Sequence, residues 1–150
     1  MFDVFAAEMR CANCGRTIPV TADIGMQTHI REDADGSTLG VGFVFDPRDL
    51  TTKSILGSGY ALIAEPPPDG PIRLLNPWIC FECSTEHWGM VTITDGKIAS
   101  IEPIVLTRKT LEAANFISEV NAELEAESLA DASGADAGAS SVEILRRHLP

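Results

Sequence analysis

All four cysteines of this 150-residue chain lie in two C-x-x-C pairs, Cys11/Cys14 and Cys80/Cys83, with 65 residues between them. Nothing else in the sequence constrains the fold as tightly. Two thiols spaced by two residues on a tight turn present both sulfurs to one ion, and two such turns complete the tetrahedral sulfur set that Zn²⁺ favours. The chain also lacks a leader pattern. Met1-Phe2-Asp3-Val4-Phe5 has neither the basic start nor the apolar run of a signal peptide. No run reaches the roughly 18 apolar residues of a membrane span. The cytosol is therefore the expected location, and paired thiols there read as metal-binding or redox before they read as a disulfide framework.

The residues Cys11-Ala12-Asn13-Cys14-Gly15 and Cys80-Phe81-Glu82-Cys83 resemble the knuckles of the zinc-ribbon and rubredoxin-like group. The resemblance covers these turns and their flanking strands. It implies two cysteine knuckles clamping one metal at the end of a small sheet. Ser84 stands where such knuckles often carry glycine, and the gap between the pairs exceeds that of a compact ribbon. Residues 21–70 are therefore expected to form an inserted or elaborated sheet. A closed four-cysteine site has no open position for water or substrate, so one structural Zn²⁺ is the expected cofactor, with Cys11, Cys14, Cys80 and Cys83 as its ligands. Iron fits the same thiolates chemically. A redox C-x-x-C ordinarily opens a helix, whose dipole acidifies the thiol, and neither pair opens an evident helix here.

Charge narrows the function classes. Twenty-two acidic residues against eleven basic ones give a net charge of −11. That field repels phosphate backbones and anionic lipid surfaces and favours a basic protein partner. Between Leu111 and Ser140 there are seven acidic residues and no basic one.

Local patterns place the elements. Strands are expected to enter and leave the first knuckle, and further strands at residues 26–32, 39–45, 60–64 and 72–79. Asp33-Ala34-Asp35-Gly36-Ser37 reads as a turn, residues 49–59 as a loop, and the proline run after Glu65 as a break. Val91-Thr92-Ile93-Thr94 and Lys97-Ile98-Ala99-Ser100 flank Asp95-Gly96, the signature of a type I′ hairpin with Ile93 opposite Ile98. From about Arg108 the period becomes helical, through Ala113, Phe116, Ile117, Val120 and Leu124. Thr107 or Thr110 is the candidate cap and Gly134 the candidate stop. Residues 131–141 have a linker composition, and Val142–Leu149 forms a short helix or frays.

Other candidates are weaker. His87 follows Cys83 by four residues and is a possible substitute ligand, although four cysteines suffice; a half-buried histidine beside Trp88 is the simpler reading. His29 has no evident partner, and His148, near the terminus, reads as solvated. Glu82 and Glu86 flank the second knuckle either as an acid–base pair or as solvated charges. Trp78 and Trp88 bracket it as a platform or as packing. The zinc-deaminase pattern fails, because Ile79 precedes Cys80 and no H-x-E occurs. The calcium-loop pattern around Asp33 fails at both its first and twelfth positions.

The expected fold is α+β: a zinc-clamped antiparallel sheet carrying one long C-terminal helix, with a single domain over residues 1–130 and a linker and flexible tail over 131–150. The helix would lay Phe116, Ile117, Val120 and Leu124 on the sheet and expose its acidic side. The expected function is that of a non-enzymatic, zinc-stabilised acidic interaction protein, most concretely an immunity- or antitoxin-like inhibitor of a basic partner. The alternatives are a zinc-ribbon module of transcription or RNA machinery, as the resemblance implies, and a thiol oxidoreductase using C-x-x-C.

Overall fold

A computed structural model describes residues 2–20, 26–130 and 134–150. It is an α+β structure of ten strands and four short α-helices among those residues. Five strands form the central sheet: β6 (Tyr60–Leu62), β7 (Ile72–Ile79), β8 (Glu86–Thr94), β9 (Lys97–Ile104) and β10 (Phe116–Ser118), in the order β6-β10-β7-β8-β9. All neighbours are antiparallel except β10 and β7. β1 (Asp3–Phe5) pairs antiparallel with β4 (Gln27–Thr28) and parallel with β5 (Thr38–Leu39). β2 (Ala7–Arg10) and β3 (Thr17–Val20) form a separate hairpin.

The central sheet is covered on both faces, and the strands show why. Adjacent residues on a strand point to opposite faces. Leu74 and Phe116 join one apolar cluster, with Phe5, Met9, Leu39, Val91 and Ile93. Their neighbours Leu75 and Ile117 join a second, with Trp88, Leu111, Ala122 and Leu145. The smaller sheets therefore cover one face and the helices after residue 107 the other. This is why β7, in the interior of the sheet, reads as a nearly continuous apolar run.

The Asp95-Gly96 hairpin forms as its residues dictate. Asp95 and Gly96 have φ of 52° and 75°, Ile93 faces Ile98 and Thr94 faces Lys97. A bulge between Thr92 and Ile93 then offsets the register, so that Val91 pairs with Ile101. The expected strand at 72–79 matches β7. Residues 26–32 and 39–45 contribute only the short β4 and β5, and the expected loop at 49–59 contains α1 (Thr52–Leu56) behind a 3-10 turn at Pro47–Leu50.

The single long C-terminal helix is corrected. The helical segment is divided into α2 (Arg108–Ala113), strand β10 and α3 (Glu119–Leu129). α2 begins with a reciprocal capping box between Thr107 and Thr110. It ends at Ala114, where the Asn115 side chain redirects the backbone. The Asn115 Oδ1 accepts from Arg73 N–H at 2.8 Å and its Nδ2 donates to the Ala64 carbonyl at 3.2 Å. These bonds feed Phe116 and Ile117 into the gap between β6 and β7. Both residues are buried as expected, but as strand residues. Val120 and Leu124, expected against the sheet, are 66 % and 58 % exposed, and Ala122 and Ala126 are the buried contacts of α3. α3 ends well before Gly134.

The tail expected to be flexible carries α4 (Ser141–His148). Ser140 caps it through Glu143 N–H, and Val142, Leu145 and Leu149 are buried in the helical layer. Asp136 accepts from Arg147 at 2.9 Å and lies 2.7 Å from His148 Nε2, tying the preceding turn to the last helical turn. Residues 131–133 of the expected linker lie outside the described residues. No described helix is long and apolar enough to cross a membrane.

Two polar groups are buried deep in this frame. Asp3 is fully buried and accepts a two-pronged pair from Arg31 at 2.7 and 2.8 Å, plus Ser37 N–H at 2.9 Å. The Arg31 guanidinium holds its carboxyl below the usual range. Tyr60 donates to Asn76 Oδ1 at 3.0 Å and meets Thr28 Oγ1 at 2.9 Å, which links β4, β6 and β7. Burial pushes the Tyr60 phenol up to about 12.

Candidate metal centre

Each C-x-x-C pair sits on a six-residue turn that closes an antiparallel hairpin. Turn 11–16 follows the Arg10–Thr17 pair of β2 and β3, and turn 80–85 follows the Ile79–Glu86 pair of β7 and β8. The two turns are built alike. Cys11 N–H donates to Arg16 O, and Cys80 N–H donates to Thr85 O. Gly15 N–H donates to Cys11 O at 2.8 Å, and Ser84 N–H donates to Cys80 O at 2.7 Å. Gly15 and Ser84 occupy the same left-handed conformation, with φ of 76° and 58°. Glycine takes this angle at no steric cost, whereas serine is strained there. The departure from glycine at Ser84 is therefore a change of residue without a change of turn.

The knuckles face each other. The Sγ atoms of Cys11, Cys14, Cys80 and Cys83 all lie within 4.8 Å of one another. Cys11 and Cys83 approach to 3.6 Å, and Cys14 and Cys80 to 3.7 Å. Zn–S bonds of about 2.3 Å at tetrahedral angles place sulfurs about 3.8 Å apart. These separations fit that cage, and they are far longer than the roughly 2.05 Å of a disulfide. The four residues that sequence spacing singled out are thus brought together by two hairpins from different sheets. Cys11 and Cys80 are buried, Cys83 is half-buried and Cys14 is exposed.

Polar contacts steer the sulfurs. Asn13 Nδ2 donates to Thr85 Oγ1 at 3.0 Å and reaches Cys83 Sγ at 3.5 Å, crossing from one knuckle to the other. Asn13 and Thr85 together pull the Cys83 thiol down to about 5, whereas burial pushes Cys80 up to about 11. Of these two thiols, Cys83 is therefore the one that ionises more readily. Arg16 pairs with Glu82 at 3.1 Å, again between knuckles, so Glu82 has a structural partner.

His87 is half-buried beside Trp88, as the simpler reading expected. It is not one of the four clustered ligands. Its Nε2 lies 3.1 Å from Cys11 Sγ, and its ring stacks on Trp78 with centroids 4.5 Å apart. Trp78 is in turn fixed by donating its indole N–H to Trp88 O at 3.1 Å. A histidine held this way orients a ligand sulfur from outside the cage. Its stacking on Trp78 follows from their opposition across the second hairpin, which needs the register to be known. Both tryptophans are buried, Trp78 on the knuckle side and Trp88 in the helical layer, which answers to packing rather than to an exposed platform. His29 meets Phe2 edge-on, with ring centroids 6.0 Å apart.

Neither knuckle opens a helix, so the setting that usually acidifies a redox C-x-x-C through a helix dipole is missing at both pairs. Comparison with protein-family models, curated proteins and solved structures gives no match for the chain.

Proposed function

We propose that this chain is a zinc-stabilised, non-catalytic protein that binds a basic protein partner, in the manner of an immunity or antitoxin protein. Four thiolates fill a tetrahedral ion completely, so the metal in this reading is scaffold and the working surface lies elsewhere. The observation that carries the reading is the outer face of α3. Glu119, Glu123 and Glu127 are exposed there at four-residue steps, beside the exposed apolar pair Val120 and Leu124. No basic residue lies between Leu111 and Ser140 to neutralise the stripe. An acidic row with an adjoining apolar pair suits a cationic, partly apolar surface, such as the nucleic-acid site of a toxin.

The test compares the native chain with Glu119→Gln/Glu123→Gln/Glu127→Gln. The reading expects a partner of high pI that the native chain holds and inhibits, with binding weakened at least about tenfold by the neutral stripe. Equal binding by the triple variant contradicts it. The thiol-exchange alternative draws on the acidified Cys83, and it requires disulfide transfer to a thioredoxin-type substrate.

A further inference from the structure

β10 pairs with β7 only at Leu74 and Leu75, and beyond them Met26 N–H donates to the Pro77 carbonyl at 3.0 Å. A cleft of about 300 Å³ opens there, between the end of the β7–β8 hairpin and the start of α3. Ile79, Glu86 and Trp88 line it from the hairpin, and Asn121, Leu124 and Glu125 line it from the helix. No lysine or arginine lines it. Neither Glu86 nor Glu125 forms an ion pair among the described residues. Trp88 donates its indole N–H to Glu125 Oε1 at 3.3 Å, which fixes that carboxylate against the aromatic wall.

We propose that this cleft receives one arginine side chain of the basic partner; the proposal rests on the acidic-face reading and places that partner's anchoring residue. Two carboxylates without internal counter-ions give the charge. A guanidinium is planar and pairs with carboxylates through two N–H groups, so it suits a slot with two carboxylates better than an ammonium does. Leu124 belongs both to the cleft and to the exposed face of α3, so an arginine seated there is continuous with the acidic stripe. His87 also lines the cleft and touches Cys11 Sγ, which places the bound side chain beside the metal centre without using a ligand.

Trp78 and Trp88 are the chain's two tryptophans and both line the cleft, so intrinsic fluorescence reports on it. The zinc-loaded chain is titrated with N-acetylarginine amide, with its neutral isostere N-acetylcitrulline amide, and with hexa-arginine at low ionic strength. The expected result is a saturable change with the arginine amide and none with the citrulline amide. Glu86→Gln/Glu125→Gln should weaken the arginine response by about tenfold with zinc content and circular dichroism unchanged. Glu86→Gln alone, at an exposed side chain, should weaken it in the same direction. A response that fails to saturate, an equal response to citrulline, or an unchanged affinity in both variants overturns the proposal. Hexa-arginine binding lost only in the Glu119/Glu123/Glu127 variant overturns the cleft but leaves the acidic-face reading standing. Absence of hexa-arginine binding to the native chain overturns both.

Discussion

At one end of the central sheet, two six-residue turns are drawn together by four sulfurs; across one face of that sheet, α2, α3 and α4 are held by apolar side chains. The turns 11–16 and 80–85 offer little to bury besides their cysteines. Phe81, their one large apolar residue, is half-exposed, and the direct links between turns besides the sulfurs are the Asn13 bonds and the Arg16–Glu82 pair. The helical layer buries Leu75, Leu111, Ile117, Val142, Leu145 and Leu149. A region with little apolar surface to bury needs another source of free energy, and a metal held by the four clustered cysteines would supply it locally. A region with ample apolar surface does not.

The strongest way to break this comparison is to remove the metal. Chelation should remove on the order of 10 kcal/mol of binding free energy from the knuckles. Hydrogen exchange should then rise first across residues 7–20 and 79–87, while α3 and α4 keep their protection. Uniform loss of protection would show that the two regions do not differ as described. Leu145→Ala approaches from the other side. It leaves a cavity in the helical layer and should cost about 3 kcal/mol in denaturant unfolding, with zinc content unchanged. Loss of zinc in that variant would couple the regions.

Asp3 tests the small sheet that covers the opposite face. Asp3→Asn leaves the Arg31 charge without its buried partner and should cost about 3 kcal/mol at neutral pH. The native carboxyl has a lowered pKa, so its stabilisation is full above the ordinary carboxylate value and is lost as the pH falls through the folded value. Native and variant stabilities should therefore converge in acid, and a constant gap down to low pH would contradict the pairing. The smallest effect is at Ser84. Ser84→Gly relieves the left-handed strain at the second knuckle and should raise stability by about 0.5–1 kcal/mol. No gain would mean that the two turns are less alike than their backbones indicate.

The parts legible in the sequence are those fixed by short-range chemistry. C-x-x-C places its sulfurs through the turn itself, Asp95-Gly96 selects its hairpin, and Thr107 caps through Thr110. The division of residues 108–129 was not legible. Phe116 and Ile117 fit a helical period and a strand equally well. The choice is made by Asn115, whose side chain bonds to Arg73 and Ala64, residues distant in sequence. α4 was ambiguous for a similar reason, since Val142, Leu145 and Leu149 are buried by residues far from them in the chain, among them Leu111 and Ala122. The metal centre was legible in its ligands but not in its surroundings. His87 acquires its place from the β7–β8 register, and Asn13 acquires its place from the meeting of the knuckles.

The most direct test of the central claim is a native mass spectrum of protein purified without added metal or chelator, paired with thiol alkylation. The account predicts one zinc per chain and four cysteines that resist alkylation until a chelator is added. A metal-free chain lighter by two or four protons, with Cys11 joined to Cys83 or Cys14 to Cys80, would contradict it.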